Sequence, residues 1–245
     1  MISRRNVPAG LSLAALLIVL LAAGAARAQS LRVMPVNIQM LPGQNATTLT
    51  VINEGSAVTA IQLRAYAWNQ SDGTDQLTDT DELLASPPLA SIAPGETQVV
   101  RLVLRRAPKG REATYRILLD QIPAAAAPGM VQVVMRMSIP VFAEPATRAV
   151  PHLQFHIESN AGQAWLVAVN DGLRHEAIRD SVLSASDGRI LNTGAGASPY
   201  VLAGATRRWP IAAQASLPLT GEFLRMKAHA DAGALDQQVR VVGTP

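Results

Sequence analysis

Few residues of this 245-residue chain have both the type and the spacing for chemistry. His152 and His156 stand four apart, which in an extended strand puts both imidazoles on one face, as half of a metal site would require. Zinc needs further ligands, and neither His175 nor His229 has a defined spacing to the pair, so two ordinary surface histidines are the simpler reading. There is no cysteine, which excludes a thiol nucleophile, thiolate ligands and disulfides alike. No G-x-S-x-G elbow is present, and Gly194-Ala195-Gly196 does not continue into a phosphate-binding fingerprint. The acidic run Asp72 to Glu82 lacks the oxygen-ligand spacing of a calcium loop and reads as solvated loop. Asn45-Ala46-Thr47 and Asn69-Gln70-Ser71 match the weak glycosylation pattern. Trp68, Trp165 and Trp209 read as core or sheet-covering aromatics. No catalytic residue, metal or cofactor is implied.

Two arginines carry a more specific expectation. The segments on either side of Pro123 to Gly129 read as the strands of a hairpin. A loop centred on Ala126 would set Arg116 directly opposite Arg136. Like charges so placed repel, unless an anion lies between them. Two guanidinium forks suit a carboxylate. A slip of one or two residues would instead leave two unremarkable surface arginines.

The strand that carries Arg136 is the stretch around which the chain is organised. In Val131 to Phe142, residues Val131, Val133, Met135, Met137, Ile139 and Val141 recur at period two and share one face. Pro140 cannot donate to a sheet ladder, which argues for an edge strand or a bulge. A long edge with an apolar face invites pairing with a foreign strand unless it is covered. The bland alternative is a core strand packed on the opposite sheet.

The remainder supplies a scaffold. Residues 1–28 have a basic start at Arg4 and Arg5, an apolar run from Leu11 to Ala23, and the small-x-small signature Ala26-Arg27-Ala28. This is the pattern of an export signal cleaved near Ala28. Of 21 Lys and Arg, three leave with that segment, so 18 basic residues face 18 acidic ones in the mature chain. The apparent basicity belongs to the leader, and nucleic acid is a poor candidate partner. Downstream, short apolar-alternating runs such as Thr47–Asn53, Ile61–Trp68, Thr97–Leu104 and Thr114–Ile122 are punctuated by Gly and Pro turns, with no helical period. The polar interval Glu144–Pro151 reads as a linker, and a second β pattern begins at Leu153. The expected fold class is all-β, as antiparallel sandwiches, with one domain over 29–145 and another over 146–245.

These residues resemble a known family. Tyr115 to Pro123 (YRILLDQIP), the strand ending Ser138 to Pro145 (SIPVFAEP), Pro94-Gly95 before Val99 to Leu104, and Tyr200 to Ile211 (YVLAGATRRWPI) look like periplasmic pilus-assembly chaperones. The last of these is similar to the archaic, Csu-type branch. The resemblance implies two immunoglobulin-like domains set at an angle and a non-enzymatic, periplasmic function. It implies pilus subunits as partners, held by donor-strand complementation, and delivery to an outer-membrane usher. The donor side chains implied are Val131, Val133, Met135 and Met137, with Ile139 extending the row. Burial of four such side chains contributes on the order of 6–12 kcal/mol before ordering costs. A free molecule would have reason to cap this strand by dimerising. Members of the family anchor the subunit's terminal carboxylate with two basic residues, at places that fall here on Asn37 and Pro140. Neither carries charge, and Arg116 with Arg136 is the expected replacement. A secreted Ig-like structural or surface-adhesion component is the alternative function.

Overall fold

The computed structural model describes residues 31–123, 129, 133–160, 162–194, 198–212 and 217–243. The expected export signal and Val131 lie outside these residues. All of the described secondary structure is β. The first strands are β1 (Leu31–Met34), β2 (Ile38–Met40), β3 (Ala46–Asn53), β4 (Thr59–Ser71) and β5 (Thr74–Asp79). They are followed by β6 (Leu83–Ser86), β7 (Leu89–Ile92), β8 (Thr97–Leu104), β9 (Ala113–Ile122) and β10 (Arg136–Ala143). One sheet has the order β1-β3-β8-β6, and the other runs β2-β10-β9-β4-β5 with β7 also on β4. The two faces meet through the period-two apolar residues: Leu49 and Val51, Val100 and Leu102, Ile117 and Leu119, and Ile139 and Val141 are all buried in one core. This is an immunoglobulin-like sandwich.

The chain enters by switching sheets. β1 pairs antiparallel with β3, and β2 then pairs parallel with β10. Pro35 lies between them, where no ladder donor is needed.

Beyond the linker, β11 (Leu153–Asn160), β12 (Gln163–Asn170), β13 (Glu176–Ser184) and β14 (Ile190–Thr193) open a second body. It continues through β15 (Tyr200–Val201), β16 (Thr206–Ala212), β17 (Phe223–Ala230) and β18 (Gly233–Gly243). These eight strands run β14-β16-β12-β11-β18-β17-β13-β15, and β14 pairs with β13 as well, so the sheet folds back on itself. Leu166, Leu183, Leu224, Met226, Val239 and Val241 fill its core.

Two expectations are corrected. The acidic run after Asp72 is not a loop, because Thr74–Asp79 pairs with the end of β4 around an Asp72-Gly73 turn with both residues at positive φ. Asp-Gly is the pair a tight hairpin favours, and the missing alternation is explained by all six β5 residues being exposed. The hairpin register also differs. Arg136 stands opposite Asp120 and Arg116 opposite Pro140, so the two arginines are not cross-strand partners. A displacement of four residues keeps every side chain on its predicted face, so Met137, Ile139 and Val141 still face inward, opposite Leu119, Ile117 and Tyr115. Charge favours the register found, because it gives Arg136 a carboxylate where the other gave it a second cation.

Candidate functional site

The candidate site is where β10, the outer face of its sheet and the second body converge. β10 has β9 along its whole length, but β2 covers only Val141–Ala143 on the other side. The edge from Arg136 to Pro140 therefore lacks a strand partner among the described residues. Val133 and Met135 precede the strand; Val133 is 87% exposed, whereas Met135 and Met137 are half-buried against the first core. Ile139 lies inside that core at 3% exposure, so its side chain has nothing left to donate outward. Of the expected donor row, Val131 lies outside the described residues, Val133 to Met137 lead up to the open edge, and Ile139 forms the row's buried inner end.

The other face of β4, β9 and β10 carries the charged groups. Arg136 is ion-paired with Asp120, which also binds Arg64 Nη2 at 2.6 Å. Hydrogen bonds from Arg136 and Arg64 hold the Asp120 carboxyl below the usual carboxylate range, against the opposing effect of burial. Arg136 is thus already neutralised by its own sheet.

Arg116 is not. Its guanidinium lies 3.7 Å from the centre of the Trp68 ring and 5.7 Å from that of Tyr200. Among the described residues its hydrogen bond is a long 3.5 Å contact to the Ser138 carbonyl. The nearby carboxylate, Asp75, is held at 3.1 Å by Arg207 and receives a further bond from Gln70. Burial draws the Arg116 pKa down; Asp75 and Tyr200 act in the opposite sense, and Arg207 adds to the lowering. Among the described residues it is a half-buried cation with no salt-bridge partner, an arrangement that favours an anion arriving from outside.

The second body completes the site. Trp68, Phe142, Leu202 and Ala205 form a small third core, with Tyr200 against it. Phe142 stacks on His175 at 3.5 Å between ring centres, and the His175 backbone N–H and Nδ1 both bond Glu112 Oε2, at 2.9 and 2.8 Å. Gln70 binds β15 as a neighbouring strand would, donating to the Tyr200 carbonyl at 2.8 Å and accepting from Leu202 N–H at 3.0 Å. Asn37, at the place where the family resemblance expected a basic residue, donates to the Tyr200 hydroxyl at 3.4 Å.

A cavity of about 600 Å³ is lined by Trp68, Gln70, Glu112 and residues 202–205, and neither Arg116 nor β10 contributes to it. His152 is paired with Asp171, and His156 with Glu158 at 3.4 Å. Among the described residues no three His, Cys, Asp or Glu side chains come together as a metal site. Trp68 and Trp209 are buried in the small third core and the second core respectively. Sequence reasoning missed Tyr200, Gln70 and the Glu112–His175 pair. The only available signal was that Trp68 and Phe142, both large and apolar, fall on the outward face of their strands.

Residues 30–149 match the family described as "Pili and flagellar-assembly chaperone, PapD N-terminal domain". No curated protein matches. Among solved structures, the chain is similar to one of the chaperone–tip adhesion subunit pre-assembly complex CsuC–CsuE from the archaic Csu pili of Acinetobacter baumannii. The identity is 23%, covering 88% of this chain and 100% of that one, with a TM-score of 0.63. The YadV chaperone matches at 16% identity over 86% of this chain and 98% of that one, with a TM-score of 0.61. A Salmonella enterica structure of SafA pilin with the SafB chaperone matches at 16% identity over 89% and 98%, with a TM-score of 0.58. Residues 30–149 thus form a domain of the pili and flagellar-assembly chaperone family, and the two Ig-like bodies have the fold of solved pilus chaperones.

Proposed function

We propose that this chaperone is exported to the periplasm, binds pilus subunits by lending them the strand that leads into β10, and passes them to an outer-membrane usher. The observation that carries this reading is the edge of β10 over Arg136–Pro140, which has no strand partner among the described residues and is preceded by exposed Val133 and half-buried Met135. A subunit strand laid on that edge gains main-chain hydrogen bonds, while the Val and Met side chains enter its core. Methionine suits this task, since an unbranched, polarisable chain adapts to several grooves. In the same reading Arg116 receives the subunit's terminal carboxylate. Arg136 does not share that work, being held by Asp120, and sets the register instead. The exposed Val133 and Val134 give the free molecule a motive to pair with a second copy.

Periplasmic co-expression with a pilus subunit encoded beside this chain, followed by size-exclusion chromatography, tests the reading. A one-to-one complex is expected, lost in Met135→Asp and reduced at least tenfold in Arg116→Ala. A complex indifferent to Met135→Asp would remove the donor strand, and one indifferent to Arg116→Ala would remove the anchor.

A further inference from the structure

We propose that the anion site at Arg116 is built by both domains, with the Tyr200 hydroxyl of the second domain as its other donor. This rests on the reading of Arg116 as a carboxylate anchor and adds a residue and a domain to it. The argument is one of hydrogen-bond capacity. A tyrosine hydroxyl has one O–H to donate and two lone pairs to accept with. Asn37 Nδ2 donates to the Tyr200 oxygen at 3.4 Å. An amide N–H can only donate, so it takes a lone pair, and the O–H proton has no acceptor among the described residues.

Placement supports the same assignment. The Tyr200 ring stands edge-on to Trp68 with centres 5.6 Å apart, and Arg116 lies on that same Trp68. The Arg116 guanidinium lies 5.7 Å from the centre of the Tyr200 ring. The Gln70 side chain clamps the backbone at Tyr200 and Leu202, so the hydroxyl is delivered by a rigid segment rather than a mobile loop. The result is a charged fork from one domain and a neutral donor from the other, both set against Trp68. The missing charge at Asn37 is accounted for as well: its amide orients the tyrosine that donates.

The test uses the full mature chain and a synthetic peptide of about nine alternating valine and threonine residues, as free acid and as C-terminal amide, with affinity read by calorimetry. The wild type is expected to prefer the free acid by tenfold or more. Tyr200→Phe keeps the ring and its packing, so it should cut that preference about tenfold while leaving the affinity for the amide unchanged. If Tyr200→Phe weakens acid and amide equally, the hydroxyl is structural and the proposal fails, while the Arg116 anchor survives. If Tyr200→Phe leaves both affinities unchanged, the proposal fails in the same way. Wild type that binds acid and amide alike, or neither, overturns the carboxylate reading and this proposal together.

Discussion

Phe142→Ala measures how firmly the two domains are held to one another. Phe142 is 1% exposed, yet it points away from the core of its own sandwich. Its ring lies 3.5 Å from His175, 5.2 Å from Tyr200 and 5.8 Å from Trp68, measured between ring centres. Truncation removes the centre of the third core and leaves a cavity that cannot easily collapse. Gln70, Arg207 and the Glu112–His175 pair still pin the walls apart. Such a loss costs about 3–5 kcal/mol for a buried phenylalanine, here at the upper part of that range because three rings lose a partner. With a urea slope of about 2 kcal/mol per molar, the denaturation midpoint should fall by roughly 2 M. Two probes should be followed together: fluorescence of Trp68, in the third core, and of Trp209, in the second core. In the wild type the two transitions should coincide; in the variant they should separate as the domains uncouple. A midpoint shift below about 0.5 M, with coincident transitions, would refute the claim that this cluster locks the domains.

Two further outcomes follow from charge. Asp120 is held below its ordinary pKa by Arg136 and Arg64, so its contribution to stability is complete above about pH 4 and is lost as pH falls from there toward the lowered value. Asp120→Asn should therefore flatten the acid limb of a Tm-against-pH curve between about pH 2 and 5; an unchanged limb would mean the two arginines do not act on it. Tyr115 is pushed up to about 12 by burial, with Glu82 adding to the effect. Its folded pKa lies above the unfolded value near 10, so this contribution is present below pH 10 and disappears as pH rises through about 12. Ultraviolet titration of phenolate should show one tyrosine ionising near pH 12, a step that Tyr115→Phe abolishes.

Much of the fold is legible in the sequence because both sandwiches have one buried and one solvated face on most strands. Met135 to Val141, Thr97–Leu104 and Thr114–Ile122 alternate, and each turns the face its pattern names toward the first core. The same logic fails for β5, where Thr74–Asp79 has no buried face and so no alternation to read. Only the Asp72-Gly73 pair betrays the hairpin. Register was legible to the face but not to the residue. Period two distinguishes odd from even positions, and a slip of four residues is invisible to it. What picks out one register is the partner of a charged side chain: Asp120 opposite Arg136 instead of Arg116 opposite Arg136.

The site divides in the same way. Edge character at Pro140 and the apolar row at Val133, Met135 and Met137 are properties of single strands, so spacing exposes them. Arg116 depends on neighbours that spacing cannot bring together: Trp68 below it, Tyr200 across it, and Asp75 drawn off by Arg207. The two arginines were expected to act as a pair because a hairpin loop centred on Ala126 would set them opposite each other. In space they separate by what surrounds them. Arg136 has a carboxylate at hand, is the more exposed, and gains little by adding another. Arg116 is half-buried with aromatic rings for company, and a desolvated guanidinium without a counter-ion gains most from an arriving anion. A half-buried cation left without a salt-bridge partner among the described residues is the better candidate for a ligand's charge, even where the sequence gives it the same appearance as its paired neighbour.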